Sequence, residues 1–322
     1  CSFNQVQSQV RLSVDGEGGI YFVWMDDRPG GSETDIYLQH IDANNQQTYA
    51  EDGLPISTAQ LKGYNPLVKN DGNGGAFVIW EDKRDGSGGV YIQHLDISNG
   101  ITLEENGILV YYGMDGPTNN AGSEFIDNNK LLIYWEDHER GNLGTFNYAK
   151  IIDSNYGISY DNAYNAQFSI MSTNPSQVLP EVKLIGENLF MGFLQDNYIA
   201  GQDPGEGFSQ YFVILDSELN NLGNPNGTWL NPSDSFDYSW TGDSQLDLDL
   251  VENDGYIFYF TSLSPFWAGV DVYVRKVDQN GSILWLDPIN LTNAPAYDNY
   301  VRVAFSNNEN GGAIFGYDQS DN

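Results

Sequence analysis

Cysteine occurs once in this 322-residue chain, at position 1, so no disulfide can close within it. Basic residues are scarce: 13 Lys and Arg face 45 Asp and Glu, for a formal net charge of −32. Such a field repels a phosphate backbone and an anionic lipid surface alike, which excludes nucleic acid as an expected partner. Long apolar runs are missing too; no stretch nears the roughly 18 residues of a membrane-spanning helix. Sustained helical periodicity is also absent. What is abundant points one way. There are 35 Gly and 21 Tyr, and Gly, Asn and Asp gather in short turns between aromatic and β-branched runs, as in an all-β protein. With 40% hydrophobic and 14% aromatic residues the chain can build a core, which a disordered acidic segment cannot.

The chain repeats itself. Trp24, Trp80 and Trp135 recur at steps of 56 and 55 residues, and an Asp that ends a later strand recurs at 42, 96, 153, 216 and 278. Five copies of one unit follow from this spacing, and a sixth begins at "NYVRVAFSNNENGGAIFGYDQ". Each unit opens on a short strand ("QVRLSV", "NPLVKN", "LPEVKLI") and a tight turn ("DGEGG", "DGNGG", "NDG") whose Gly and Asn supply positive φ. A nearly continuous apolar strand follows ("IYFVW", "AFVIW", "LLIYW"), a pattern that implies burial on both faces. A variable loop, a third strand ("DIYLQHID", "GVYIQHLD", "DVYVRKVD"), an Asn/Gly turn and a degenerate fourth strand complete the unit.

Four antiparallel strands with a buried inner strand describe a propeller blade, which needs neighbours to cover its faces. The unit is too short for an immunoglobulin-type sandwich of about 100 residues. The expected fold is therefore an all-β β-propeller of four-stranded antiparallel blades, one domain over 1–322. Its blades run near 6–57, 58–113, 114–173, 174–233, 234–292 and, incomplete, 293–322. The incomplete sixth unit carries the expectation that the protein continues past Asn322.

The stretch "GGAFVIWEDKRDGSGGVYIQHLD" resembles the tandem repeats of bacterial secreted and surface β-propellers. Those repeats carry a Trp-Glu-Asp-x-Arg corner and an Asp-Ile-Tyr-x-Gln-x-x-Asp strand, a Bacteroidota type often exported by the type-nine route. The likeness is strong over residues 9–113, fair over 114–173 and weak beyond: "FLQDNYIAG" keeps only the Asp of the corner and "YFTSLSPFW" keeps nothing of it. It implies an extracellular or outer-membrane-surface propeller of a Gram-negative bacterium, and it implies no enzyme activity. The opening "CSFNQ" is similar to a bacterial lipoprotein after leader cleavage, which would make Cys1 a lipid attachment site. The plain alternative is an arbitrary starting point in a longer chain.

The repeated corner reads as scaffold. It comprises Trp24, Asp26 and Arg28; Trp80, Asp82 and Arg84; and Trp135, Asp137 and Arg140, the last Arg displaced by one position. The Trp fills space between blades, the Asp can accept loop amides, and the Arg can pair with a carboxylate. Identical residues on successive blades lie a blade apart, whereas a catalytic site needs different residues at one point. His40 and His94 are likewise equivalent, with Ile151, Ile214 and Lys276 in their place later, and His138 sits in another loop. A shared zinc would need both imidazoles within about 4 Å of one common ion, and neighbouring blades rarely bring equivalent third-strand residues that close.

Acidic turns offer little more. "DGEGG" (Asp15, Glu17) and "DGNGG" (Asp71, Asn73) echo a calcium loop but lack its ligand count and its closing Glu. Richer clusters are Asp26, Asp27, Glu33 and Asp35, and Asp243, Asp247 and Asp249. No cofactor is expected; calcium is the one ion these groups could take. Arg11, Arg28, Arg84, Arg140, Arg275 and Arg302 are mostly repeat-related, and the Asp-box of sialidases is absent. With 45 acids some carboxylate pair can always be imagined, so their number decides nothing.

Function is expected where the repeat breaks. The loops at 197–210, 231–244 and 261–271 present Tyr198, Phe208, Phe236, Tyr238, Trp240, Phe266 and Trp267. Exposed aromatics of this kind stack on sugars or anchor proteins, while packing beneath their own loops is the plainer role. The main expectation is a non-catalytic extracellular module with no enzyme activity. Its partner is a surface protein or a glycan, and it touches a membrane only through a lipid on Cys1. The second expectation is a carbohydrate-binding or carbohydrate-processing surface lipoprotein.

Overall fold

A computed structural model describes residues 6–28, 34–60, 63–84, 86, 88–113, 118–127, 130–139, 144–153, 166–167, 177–185, 188–196, 208–223, 228–230, 246–251, 255–263, 270–278, 280–291, 297–305 and 313–320. These residues form an all-β architecture of antiparallel sheets, each made by chain-consecutive strands. The first sheet runs β1 (Gln7–Val14), β2 (Ile20–Asp26), β3 (Asp35–Ile41), β4 (Leu54–Ser57). The second has β5 (Gly63–Asn70), β6 (Ala76–Asp82) and β7 (Gly89–Asp96), with both β8 (Gly100–Ile101) and β9 (Ile108–Tyr112) paired to β7. The third runs β10 (Thr118–Asp127), β11 (Lys130–Glu139), β12 (Gly144–Asp153), β13 (Ala166–Gln167).

The fourth sheet runs β14 (Gln177–Ile185), β15 (Asn188–Asp196), β16 (Phe208–Leu215), β17 (Thr228–Trp229). The fifth has β18 (Leu246–Val251), β19 (Gly255–Leu263) and β20 (Val270–Val277), with β21 (Ile289–Asn290) on β20. The sixth repeat contributes the hairpin β22 (Tyr297–Phe305) and β23 (Ala313–Ser320). A single parallel pair, Val270 with Tyr297, joins it to the fifth sheet. By compactness the chain divides into Cys1–Leu143 with Tyr148–Gln167, and Gly144–Asn147 with Phe168–Asn322. No helix among the described residues is long and apolar enough to cross a membrane.

In the first unit the core lies between sheets. Tyr21, Val23, Ile36 and Leu38 of the first sheet pack against Val68, Ala76, Val78 and Trp80 of the second. Strand β6 is buried along its whole length, as its unbroken apolar run predicts. Strand β2 departs from that expectation: Ile20, Phe22 and Met25 are only half-buried. The reason is beside them on β1, where Val10, Leu12 and Val14 are more than half exposed. The repeat-equivalent of Leu12, Val68, is 8% exposed because the first sheet covers it. Fully buried strands thus require a neighbour on each face.

A β-bulge recurs at one place. Two residues of the first strand oppose a single residue of the second in five repeats: Gln9–Val10, Asn65–Pro66, Asn120–Ala121, Leu179–Pro180 and Tyr300–Val301. In the first three the opposed residue is the corner Trp. Gln9 and Asn65 both adopt φ of 51°. A bulge leaves a residue out of the ladder, which lets Pro66 and Pro180 sit inside strands without a missing hydrogen bond.

Candidate functional site

The corner is a closed hydrogen-bonded unit. Asp26 is fully buried, and its Oδ2 accepts from Trp24 Nε1 at 3.1 Å and Arg28 Nη2 at 2.6 Å. Its Oδ1 accepts the Arg28 amide at 2.9 Å. The second copy repeats this: Asp82 Oδ2 takes Trp80 Nε1 at 3.0 Å and Arg84 Nη2 at 2.5 Å, and Oδ1 takes the Arg84 amide at 2.8 Å. Each guanidinium lies over a Tyr of the third strand, Arg28 at 3.5 Å from the Tyr37 ring centre and Arg84 at 4.0 Å from Tyr91. Arg28 also donates to the Asp52 carbonyl near the end of its own repeat, and Arg84 to Ser57 Oγ at the end of the preceding one. Burial would raise the Asp26 pKa, but the bonds from Arg28 and Trp24 outweigh it and hold the carboxyl below its usual value. In the third copy Tyr111 donates its hydroxyl to Asp137 Oδ2. Arg140 lies outside the described residues. In the first two copies these buried bonds hold the start of the following loop onto the strand end.

A glycine packs against the Trp of each of the first two corners. Gly53 (φ +84°) and Gly107 (φ +79°) press on the six-membered rings of Trp24 and Trp80; a Cβ on Gly53 would stand 2.5 Å from Trp24 Cη2. Both requirements, positive φ and no side chain, select glycine here.

His40 and His94 are not neighbours of one ion; each belongs to its own Asp and Thr. His40 Nε2 faces Asp15 Oδ2 at 2.9 Å and Nδ1 faces Thr48 Oγ1 at 2.7 Å. His94 faces Asp71 Oδ2 at 2.8 Å and Thr102 Oγ1 at 2.8 Å. The aspartates are those of the "DGEGG" and "DGNGG" turns. Their other oxygens accept backbone amides, Glu17 and Gly19 for Asp15, Asn73 and Gly75 for Asp71. These bonds overcome burial and keep both carboxyls below their usual pKa. The calcium-loop echo is thus a hairpin turn whose oxygens face protein donors. Among the described residues no group of three or more His, Cys, Asp or Glu is placed to hold a metal.

Sequence reasoning missed this Asp–His–Thr strut, though a signal existed. The Asp-Gly-x-Gly-Gly turn and the Gln-His pair occur together in the first two repeats and vanish together in the third. It also missed a latch one residue earlier. Gln39, Gln93, Lys150 and Arg275 are repeat-equivalent, and each donates to carbonyls near the degenerate fourth strand. Gln39 Nε2 reaches Ala50 O at 2.8 Å, Gln93 Nε2 reaches Glu104 O at 2.8 Å, and Lys150 Nζ reaches Val110 O at 3.2 Å. Arg275 holds the carbonyls of Leu230, Trp285 and Leu286.

Glu81, between Trp80 and Asp82, is fully buried. Its Oε2 accepts Asn65 Nδ2 at 3.2 Å and its Oε1 accepts the Ala121 amide at 3.3 Å. Both donors are bulge residues, one in its own sheet and one in the next. Asn65 N in turn donates to Gln9 Oε1 at 2.8 Å, so the bulges of three sheets are linked through side chains. Burial raises the Glu81 pKa to about 7, the nearby Glu136 adding to it.

The expected partner-binding aromatics lie almost entirely outside the described residues. Tyr198, Phe236, Tyr238, Trp240, Phe266 and Trp267 lie outside them, as does Cys1; Phe208 begins β16, and its side chain is not described.

No protein-family model matches this chain, and no curated protein sequence matches it. Solved structures do. The fold is similar to an ulvan lyase of polysaccharide lyase family PL25 bound to -[GlcA(1-4)Rha3S]-, with a TM-score of 0.61 and 9% identity over 90% of this chain and 71% of that one. It is also similar to an α-L-arabinanase of Penicillium chrysogenum complexed with arabinobiose, with a TM-score of 0.54 and 12% identity over 92% and 86%. Identities this low establish shared fold. They correct two expectations, that the module is non-catalytic and that it has no enzyme activity: the scaffold is one on which carbohydrate-cleaving enzymes are built. The repeat-based argument failed because repeated residues report on what holds the sheets, whereas chemistry resides in residues that differ between repeats.

Proposed function

We propose that the protein is a carbohydrate-processing β-propeller that acts on a polysaccharide. The observation that carries this reading is the fold likeness over nine-tenths of the chain to a polysaccharide lyase and an arabinanase. In this reading the successive four-stranded sheets are propeller blades. Tyr198, Phe208, Tyr238, Trp240, Phe266 and Trp267 then supply aromatic faces for sugar stacking. The same reading places the protein outside the cell or on the outer-membrane surface of a Gram-negative bacterium. The −32 charge suits an exposed surface there.

The test is a panel of polysaccharides that includes uronate-rich and arabinose-rich polymers. New reducing ends report hydrolysis, and the ultraviolet absorbance of unsaturated uronate reports elimination. Cleavage or retention of at least one polymer, weakened at least tenfold in Trp240→Ala or Trp267→Ala, is expected. Silence of the folded protein across the panel in both cleavage and binding would sink the reading.

A further inference from the structure

Glu81 joins the first-strand bulges of neighbouring sheets. It belongs to the second sheet, is 0% exposed, and reaches the amide of Ala121 on β10 in the third sheet. Strand β10 packs against β5 and β6, so this bond crosses the interface between the two sheets. The same carboxylate holds Asn65, whose own amide is held by Gln9 of the first sheet. The repeat shows that a carboxylate is not obligatory at this place: Met25 fills it in the first sheet, while Glu136, 3% exposed, fills it in the third. A methionine there is a packing residue; a glutamate is a packing residue that can carry a charge.

We propose that Glu81 is a proton-operated link between the second and third sheets. Neutral, it sits in the junction as a hydrogen-bonded packing residue; ionised, it places a buried negative charge there and loosens the junction. The groups that face it have been placed. Glu136 on β11 repels the ionised form, and Lys83 beyond the end of β6 attracts it. Tyr64 on β5 pairs with Glu81 in register, and burial together with Glu81 and Asp82 holds its hydroxyl in the neutral form. Two donors, Asn65 Nδ2 and the Ala121 amide, favour the charge, and burial outweighs both.

The sign follows from linkage. The folded value, about 7, lies above the unfolded value of 4.5, so the stabilisation is complete below about pH 4.5 and lost as pH rises through about 7. Because other groups titrate as well, the quantity to measure is the ratio of unfolding constants of wild type and Glu81→Gln, from urea denaturation between about pH 4.5 and about pH 8. The wild type is expected to lose up to about two orders of magnitude against the variant across that window. Hydrogen exchange should place the loss: protection of β10 amides, referenced to β2, falls with rising pH in the wild type and holds in the variant. A ratio independent of pH, or a loss spread evenly over all strands, overturns the proposal. Should Glu81→Gln fail to fold, Glu136→Gln serves, since removing the like charge shifts the midpoint to lower pH. An unmoved midpoint there overturns it equally.

Discussion

A single buried aspartate organises each corner. Asp82 accepts an indole, a guanidinium and an amide at 3% exposure, so removing its cation strands a charge where water cannot reach it. Arg84→Met is therefore expected to cost about 3 kcal/mol in urea denaturation, within the range for a broken buried pair. Arg84→Lys keeps the charge but loses the planar fork over Tyr91, and it should fall between the two. Acid tests the same carboxylates from the other side. Asp15, Asp26 and Asp71 have folded values below the usual 3.8. The stability they contribute is present above about pH 4 and is lost as pH falls through those lower values. Asp71→Asn should flatten the acid limb of a stability-versus-pH profile; an unchanged limb would show that the His94 strut contributes nothing. At this scale the sequence was half legible. Repetition of Trp-x-Asp-x-Arg was visible in the sequence, whereas the strut was missed, although the Asp-Gly-x-Gly-Gly turn and the strand His disappear together in the third repeat. Glu81 was illegible, because nothing in "WED" says whether the middle residue faces solvent or a neighbouring sheet.

Turns and bulges set the elements. Gly107 has its φ of +79° and its contact with the Trp80 indole together, while Gly72 (φ +78°) and Gly100 (φ +77°) have nothing within 4 Å of an added Cβ. Gly107→Ala should thus cost about 3 kcal/mol, a left-handed backbone penalty plus overpacking, and Gly100→Ala only about 1 kcal/mol. Equal melting temperatures for the two variants would contradict the corner geometry. The asparagine and glycine turns were readable as hairpins because positive φ leaves a compositional trace. The fourth strands were not readable: Gln39, Gln93, Lys150 and Arg275 hold backbone carbonyls in or near them, and those bonds do not depend on the side chains of the segments they hold. The bulges had one visible trace, the prolines at 66 and 180 inside otherwise regular strands.

For the molecule as a whole, charge opposes compaction. A net −32 creates self-repulsion that salt screens over a Debye length of about 8 Å at physiological strength. The melting temperature is expected to rise by several degrees as sodium chloride goes from about 0.01 M to about 0.5 M, although the corner and strut pairs weaken slightly. A melting temperature that falls would mean that short-range ion pairs outweigh the long-range field. Function also belongs to this scale, and here the sequence misled: repeats without a concentrated polar cluster read as an inert module, while the assembled sheets share their fold with carbohydrate-cleaving enzymes.

The sequence by itself determined the local chemistry: strands from apolar runs, turns from Asp, Asn and Gly, and a repeating unit from its period. These follow from interactions between residues near in the chain, which spacing records. Only the tertiary structure decided which strand faces are covered, that Glu81 meets the bulge of the next sheet, and that the aspartate of each turn belongs to a histidine some 25 positions away. Burial and pairing across sheets depend on what the neighbouring repeat presents, and no period along one chain encodes that.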